Sequence, residues 1–443
     1  MAIDFSQHFT YKRLLRFTLP SIIMVVFTSI YGVVDGFFVS NFAGETAFAA
    51  VNFIIPVLMI LGCVGFMFGT GGGALIAKTM GEGESDKANR IFSLIVYSSI
   101  ACGVALAAIG FAFMESIASL LGAEGQMLSD CVLYGRIIVV AVPAFILQYE
   151  FQCLFVTAGK PKLGLYITLA AGIVNIVLDA LLVGLLGMGL VGAALATALS
   201  QVVGGVIPLV YFFCRNGSLL RLGKTRWDGR ALIKTCANGS SELMANISMS
   251  IVSMLYNIQL LRFAGEAGIS AYGVLMYVNM IFISIFLGYS SGSAPIVSYN
   301  YGAQNKEELK ALLKKSLVII GISSVLMFGA CLALAKPMSW LYVRDNQYLY
   351  DMTVHAFMIY SFSFLFSGLA IYSSGFFTAL NDGVISAIMA FLRTLVFQTA
   401  AVLLLPLVLG LDGIWLSIIV AEVAAVVLSV VFLIAKRKKH GYA

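Results

Sequence analysis

Twelve apolar runs, each long enough to cross a bilayer, follow one another along this chain with only short polar breaks. They occupy about 14–40, 48–77, 91–113, 131–157, 163–187, 189–213, 232–261, 269–300, 312–335, 352–379, 384–409 and 411–435. A membrane span needs ~20 apolar residues. In hydrocarbon the backbone must satisfy its own hydrogen bonds within the segment, so each run reads as a helix. Several exceed 25 residues and must tilt or extend beyond the lipid. Composition agrees: 60% of the residues are hydrophobic and 11% charged, against about 45–50% and about 25% in soluble domains. A soluble fold, disorder, a collagen-like repeat and a secreted disulfide scaffold are all excluded. The expected fold class is an all-α polytopic membrane protein.

With twelve spans, alternate loops fall on opposite sides of the membrane. Of the 27 Lys and Arg, Arg262, Lys336 and Arg344 lie on one side, and Arg136 and Arg393 lie within spans. The other 22, among them the runs Lys12-Arg13, Lys314-Lys315 and Lys436-Arg437-Lys438-Lys439, share the opposite side. Basic loops stay in the cytoplasm, so both termini are expected there, with the protein in the cell membrane. The net charge of +6 is therefore a topology signal, and no nucleic-acid partner is expected. The first apolar run is too long for a signal-peptide core and lacks a small-residue cleavage site, so it is expected to remain as a span. None of the seven cysteines forms a C-x-x-C pair; they read as small buried hydrophobes.

The chain repeats itself at an offset of 221 residues. Phe42-Ala43-Gly44-Glu45 recurs as Phe263-Ala264-Gly265-Glu266. The same offset joins Gly71 to Gly292, Gly81 to Gly302, Thr157-Ala158 to Thr378-Ala379 and Gly192 to Gly413. Each repeat holds six spans, an even number, so the halves share an orientation and a pseudo-two-fold axis along the membrane normal. The expected units are an N-terminal lobe, 1–213, a polar basic cytoplasmic linker, 214–230, and a C-terminal lobe, 231–443. Two such bundles facing each other across a cavity can open to either side by rocking, which favours a transporter.

Ionisable residues inside spans are costly and usually mark function. The clearest are Asp35, Asp179, Glu242 and Glu422. At ~1.5 Å per residue, Asp35 lies ~30 Å along span 1 and Asp179 ~24 Å along span 5, both outward-running. Thr197 lies ~12 Å below the outer start of span 6. Asn175 sits one turn from Asp179 on the same face, and Tyr134 lies near the outer end of span 4. Five polar side chains can therefore meet in the outer half of the first bundle. Two carboxylates in a low-dielectric pocket resist ionising together, which suits a proton site. The same oxygens of Asp35, Asn175, Asp179 and Thr197 also suit Na⁺.

Glu242 stands ~15 Å into span 7 from the cytoplasmic side and is a candidate contact for a cationic substrate or a second-lobe cation. Glu422 matches Gln201 under the repeat, which points to helix packing. Arg136 and Arg393 read as snorkelling or paired. The run Gly65, Gly69, Gly71, Gly72, Gly73 resembles a phosphate loop only loosely, because Ala77 replaces the glycine before Lys78. Small residues at this spacing let helices approach closely or bend. The 18 Met, 32 Phe and 19 Tyr allow an adaptable, polyspecific binding surface.

Taken together, these motifs resemble those of the multidrug and toxic compound extrusion (MATE) transporters, in their bacterial form. The resemblance rests on Pro20, on Tyr31-Gly32-Val33-Val34-Asp35-Gly36-Phe37-Phe38-Val39, on Gly81-Glu82-Gly83 and on Thr157-Ala158-Gly159-Lys160-Pro161. Its most specific parts are Asn175-Ile176-Val177-Leu178-Asp179 and Gly189-Leu190-Val191-Gly192-Ala193-Ala194-Leu195-Ala196-Thr197. The resemblance covers essentially the whole chain as two six-helix lobes. It implies that Asp35, Tyr134, Asn175, Asp179 and Thr197 form a cation-coupling site in the first lobe. A second-lobe cation site, as in some members, would take Glu242 and an Asp in span 10. Residues 352–379 contain no Asp, so the first-lobe site is the expected one.

The resemblance implies a secondary antiporter that exports organic cations and amphipathic drugs in exchange for H⁺ or Na⁺, with consequences for antibiotic resistance. No cofactor and no resident metal are expected, the partners are small-molecule substrates and membrane lipid, and a monomer is expected. The nearest rival is a related flippase or exporter for lipid-linked precursors or metabolites. It would need a large cationic cavity, and the spans offer only Arg136 and Arg393. A major-facilitator carrier would carry a G-x-x-x-D-R-x-G-R-R loop where this chain reads Gly81-Glu82-Gly83-Glu84-Ser85-Asp86-Lys87. An intramembrane enzyme would show H-E-x-x-H, G-x-G-D or D-D-x-x-D, and none is present.

Overall fold

A computed structural model describes residues 5–39, 45–344 and 346–442. Phe42, Ala43 and Gly44 of the repeated motif lie outside these residues, as do the side chains of Val33 and Phe37. The first half of the chain forms α1 (Tyr11–Phe38), α2 (Glu45–Gly81), α3 (Ser85–Leu120), α4 (Gly125–Thr157), α5 (Pro161–Leu178) and α6 (Gly189–Phe213). A π-helical segment, Asp179–Leu185, continues α5. The second half forms α7 (Gly229–Gly302), α8 (Lys306–Val343), α9 (Gln347–Tyr360), α10 (Phe364–Ala379), α11 (Gly383–Phe391), α12 (Gln398–Leu404), α13 (Pro406–Leu409) and α14 (Leu411–His440). A 3₁₀ turn joins α9 to α10, and a second π segment, Leu392–Phe397, joins α11 to α12.

Eleven of the described helical stretches are long and apolar enough to cross a membrane. One counts twice. A straight helix of α7's 74 residues would be about 111 Å long at ~1.5 Å per residue. Instead Gly265 adopts φ 61°, ψ −153°, a conformation that glycine reaches without a Cβ penalty. The chain folds back there: Tyr256 and Tyr272 stack with ring centroids 5.3 Å apart, where a straight helix would hold them ~24 Å apart. The twelve expected spans are thus present, with spans 7 and 8 joined at Gly265.

The connection between the halves is more structured than its composition suggests. It runs along the N-terminal end of α3, where Arg221 N donates to Asn89 Oδ1 at 2.8 Å and Gly223 N to Ser93 Oγ at 3.0 Å. Asp228 then caps α7 by accepting from the N–H groups of Arg230 and Ala231, the usual work of an N-cap carboxylate.

The glycines fulfil the packing reading and not the phosphate-loop one, for all of them lie inside α2. A Cβ at Gly65 would come 2.3 Å from Ile146 O of α4, and one at Gly71 2.1 Å from Thr235 O of α7. The same helix therefore touches its own half and the other half at backbone range. Toward the C-terminal end of α2 the halves are held by Asn381 Nδ2 donating to Ala74 O at 3.3 Å. They are also held by the segment before α1. Phe9 is fully buried, its N–H donates to Glu308 Oε1 at 2.9 Å, and Lys315 Nζ donates to its carbonyl at 2.5 Å. Higher up, Ser29 and Ser284 hydroxyls meet at 2.7 Å. The halves are closed against each other at the end of the bundle where α2 and α7 terminate.

Candidate functional site

Each of the five outer-half residues comes from a different piece of helix. Asp35 lies on α1, Tyr134 on α4, Asn175 on α5, Asp179 at the first position of the π segment and Thr197 on α6. Close backbone approaches bring these helices together. A Cβ at Gly172 of α5 would stand 2.4 Å from the Phe27 ring and 3.2 Å from Tyr31 of α1. One at Gly192 of α6 would stand 3.1 Å from the Leu182 carbonyl of the π segment. A larger side chain at either place would push these neighbours apart. The π turn itself, seen in Leu186 N donating to Leu181 O at 2.9 Å, adds a residue to the helix right after Asp179, and such bulges recur at functional sites.

The result is one cluster. Thr197 Oγ1 donates to Asp35 Oδ1 at 3.3 Å. Asn175 and Asp179 are immediate polar neighbours of Asp35. The Tyr134 hydroxyl faces Asp35, Asp179 and Thr197. Asp179 is 0% exposed and Asn175 1%. Both carboxylate oxygens of Asp179 and Oδ1 of Asn175 are buried with no hydrogen-bond partner. Buried acceptors are almost always satisfied, so three orphans side by side, next to a second carboxylate, describe a place for a small cation or a proton. Hard cations take oxygen ligands of this kind.

Glu242 stands apart from this cluster. It is half-buried on α7 and faces Cys63 of α2 and Cys153 of α4 across the seam between the halves. Three other ionisable side chains of the spans meet neighbours among the described residues. Arg393 forms a forked pair with Glu422, its Nη2 2.8 Å and its Nε 3.0 Å from the two carboxylate oxygens. The guanidinium of Arg136 lies 5.3 Å from the centre of the Phe111 ring. His355 meets Asp412 at 2.9 Å.

The repeat lets the two halves be compared position by position. The offset carries Asp35 to Tyr256, Asn175 to Val396, Asp179 to Ala400 and Thr197 to Ile418. Tyr256 is buried and its hydroxyl is 2.7 Å from Ser417 Oγ. The second half thus holds a satisfied neutral hydroxyl where the first holds a carboxylate. One buried acid escaped the sequence reading. Glu150 of α4 is 0% exposed, and the signal was a lone acid between Gln148 and Gln152 inside an apolar run.

The family model MatE matches residues 20–181 and 243–402, one stretch in each half. The chain belongs to the MatE family. Among curated proteins it is similar to the multidrug export protein MepA of Staphylococcus haemolyticus (strain JCSC1435), 26% identical over 436 residues, covering 98% of this chain and 96% of the relative. It is also 26% identical over 421 residues to MepA of Staphylococcus aureus (strain NCTC 8325 / PS 47), covering 94% and 92%. Among solved structures, a MATE protein in complex with MaL6 superposes with a TM-score of 0.91 at 21% identity, covering 97% of this chain and 96% of that one. An outward-facing multidrug resistance MATE family transporter matches with the same score and identity. At that identity the superpositions establish the MatE fold. The curated relatives are named as exporters, not as enzymes.

Proposed function

We propose that this MatE protein is a secondary antiporter that exports organic cations and amphipathic drugs in exchange for H⁺ or Na⁺. Residues 1–213 and 231–443 act as two lobes, joined by 214–230, in a monomer that spans the cell membrane with both termini in the cytoplasm. The observation that carries the reading is the orphaned set of acceptors on Asp179 and Asn175 beside Asp35. A cation entering that cluster supplies what the buried oxygens lack and tightens α1 against α5 and α6. Drug and ion must bind the two conformations differently for exchange to be coupled. The present arrangement, sealed below Ser29 and Ser284, is the one that takes an ion from outside and releases drug there. The names of the curated relatives support drugs as cargo.

The test is ethidium efflux from proteoliposomes under imposed pH or sodium gradients, for the wild type and Asp35→Asn. Efflux that follows one gradient and is lost in the variant identifies the ion and the site together. Efflux untouched by Asp35→Asn overturns the coupling role of the cluster. The alternative cargo, a lipid-linked precursor or metabolite, is indicated if no organic cation moves under either gradient.

A further inference from the structure

We propose that Glu150 is a second proton-binding site of the transport cycle, on the cytoplasmic half of α4. It lies seven residues before the end of that helix, ~10 Å from the cytoplasmic end, far from the Asp35 cluster. The inference rests on the antiport reading.

Three observations carry it. First, Glu150 is fully buried with no compensating charge. Outside the Asp35 cluster, the other deeply buried acids have partners that Glu150 lacks: Glu422 has Arg393, and Glu308 meets the His8 ring. Among the described residues no Lys, Arg or His pairs with Glu150. An isolated carboxylate in such a place neutralises itself by taking a proton. Second, the single hydroxyl proton of Ser99, on α3, is claimed twice. Ser99 Oγ is within bonding range of Val96 O, at 2.9 Å, and of Glu150 Oε2. One proton shared between two acceptors makes two weakened three-centre contacts. A protonated Glu150 resolves the conflict, donating through Oε2 to Ser99 while Ser99 donates to Val96. Third, Glu150 Oε1 is buried with no partner. That single oxygen and one hydroxyl are too few ligands for Na⁺, and enough for a proton.

The surroundings suggest how the proton leaves. The titratable groups near the carboxyl are Cys153 on the same helix and, past it, Glu242 of α7. On the α2 side, Gly69 packs against the backbone of Glu150, its added Cβ 3.0 Å from the Glu150 carbonyl oxygen. Two residues on, Gly71 makes the seal with Thr235 and Gly239 of the other half. Parting that seal moves the helix that covers Glu150. Water reaching the carboxyl group takes the Oε2 proton, leaving carboxylate and a hydronium ion on the cytoplasmic side, and the Ser99 hydroxyl proton then turns to the carboxylate. No electrons move.

Glu150→Gln tests this directly, because the amide keeps the shape, a donor toward Ser99 and the Oε1 acceptor, and lacks only the exchangeable proton. Infrared spectra at neutral pH should show a protonated-carboxyl C=O band in the wild type that the variant has lost. Drug efflux driven by a pH gradient, and the accompanying proton flux, should be lost in proteoliposomes of Glu150→Gln as in Asp35→Asn. Wild-type efflux and proton flux in Glu150→Gln, with Asp35→Asn inactive, would overturn the Glu150 site and leave the antiport reading intact. Sodium-driven efflux with no proton movement in the wild type would do the same. If neither gradient drives efflux, the antiport reading has failed and Glu150's place in a cycle fails with it. If Glu150→Gln does not fold, Glu150→Asp decides: a shifted pH profile of efflux supports the site, and an unchanged profile overturns it.

Discussion

Gly81 and Gly302 close the halves against each other by packing on each other's helices in a symmetric exchange. A methyl group at Gly81 would stand 2.0 Å from Tyr299 O, and one at Gly302 2.1 Å from Lys78 O. Both pairs, Gly81 with Gly302 and Lys78 with Tyr299, are separated by the repeat offset of 221 residues. A pseudo-two-fold axis therefore passes between α2 and the second segment of α7, and the repeat read in the sequence is a contact in the fold.

Gly81→Ala and Gly302→Ala should weaken this seal equally. Overpacking at backbone range costs ~1–3 kcal/mol, and here the neighbour is a carbonyl that cannot rotate away. Both variants should lower the melting temperature in detergent by similar amounts. They should also raise maleimide labelling from the cytoplasmic side at Cys236, which lies next to Thr235. Loss from one glycine but not the other would break the symmetry argument.

Thr197 donates a side-chain hydrogen bond to Asp35 at 3.3 Å. A hydrogen bond to a charged group contributes ~1.5–3 kcal/mol. Thr197→Ala should therefore raise the ion concentration needed for half-maximal efflux by roughly tenfold or more, with Thr197→Ser close to the wild type. An equal loss in both variants would mean that the methyl group, not the hydroxyl, matters there.

Arg393 and Glu422 behave as a fixed pair. Glu422 is 1% exposed, and stripping a buried charge of its partner costs ~3–5 kcal/mol. Arg393→Met and Glu422→Gln should each destabilise the protein by about that much. The double variant, with no charge left uncompensated, should recover most of the loss. Thermal unfolding of the four proteins is the measurement, and the double variant should keep ion-driven efflux.

Asp382, in the cytoplasmic turn before α11, ties down the tail, accepting from Lys439 at 2.7 Å and lying 3.0 Å from His440. Partial burial pushes its carboxyl up, but these two partners outweigh it and hold the group below the ordinary aspartate value of 3.8. A depressed value means stability that is fully present above 3.8 and lost as pH falls through the lower folded-state value. Asp382→Asn should therefore lower the melting temperature near neutral pH, and the gap to the wild type should close in strong acid. A gap that persists there would assign the effect to packing.

Much of this site was legible because depth along a helix follows from counting residues. Asp35, Tyr134, Asn175, Asp179 and Thr197 fall on four spans at compatible heights, and the structure brings all five together. What counting could not supply is the shape of the helix itself. The π turn at Asp179 depends on how Gly192 lets α6 approach, a tertiary effect with no local signature. The double claim on the Ser99 proton depends likewise on α3 facing α4. The offset already paired Asp35 with Tyr256, but the meaning of that substitution needed the contact with Ser417.

We propose Glu242 as the carboxylate that meets a cationic drug. It is half-buried on α7, and its neighbours Cys63 and Cys153 belong to the opposite half. Among the described residues no cation pairs with it. A drug ammonium there gains a charge-assisted contact of ~1.5–3 kcal/mol. Glu242→Gln should then weaken binding of ethidium by roughly tenfold or more and leave a neutral amphipathic substrate little changed. Fluorescence titration with both ligand types separates the cases. Equal weakening of charged and neutral ligands would move Glu242 from substrate recognition to helix packing, and with it the expectation that cations are the preferred cargo.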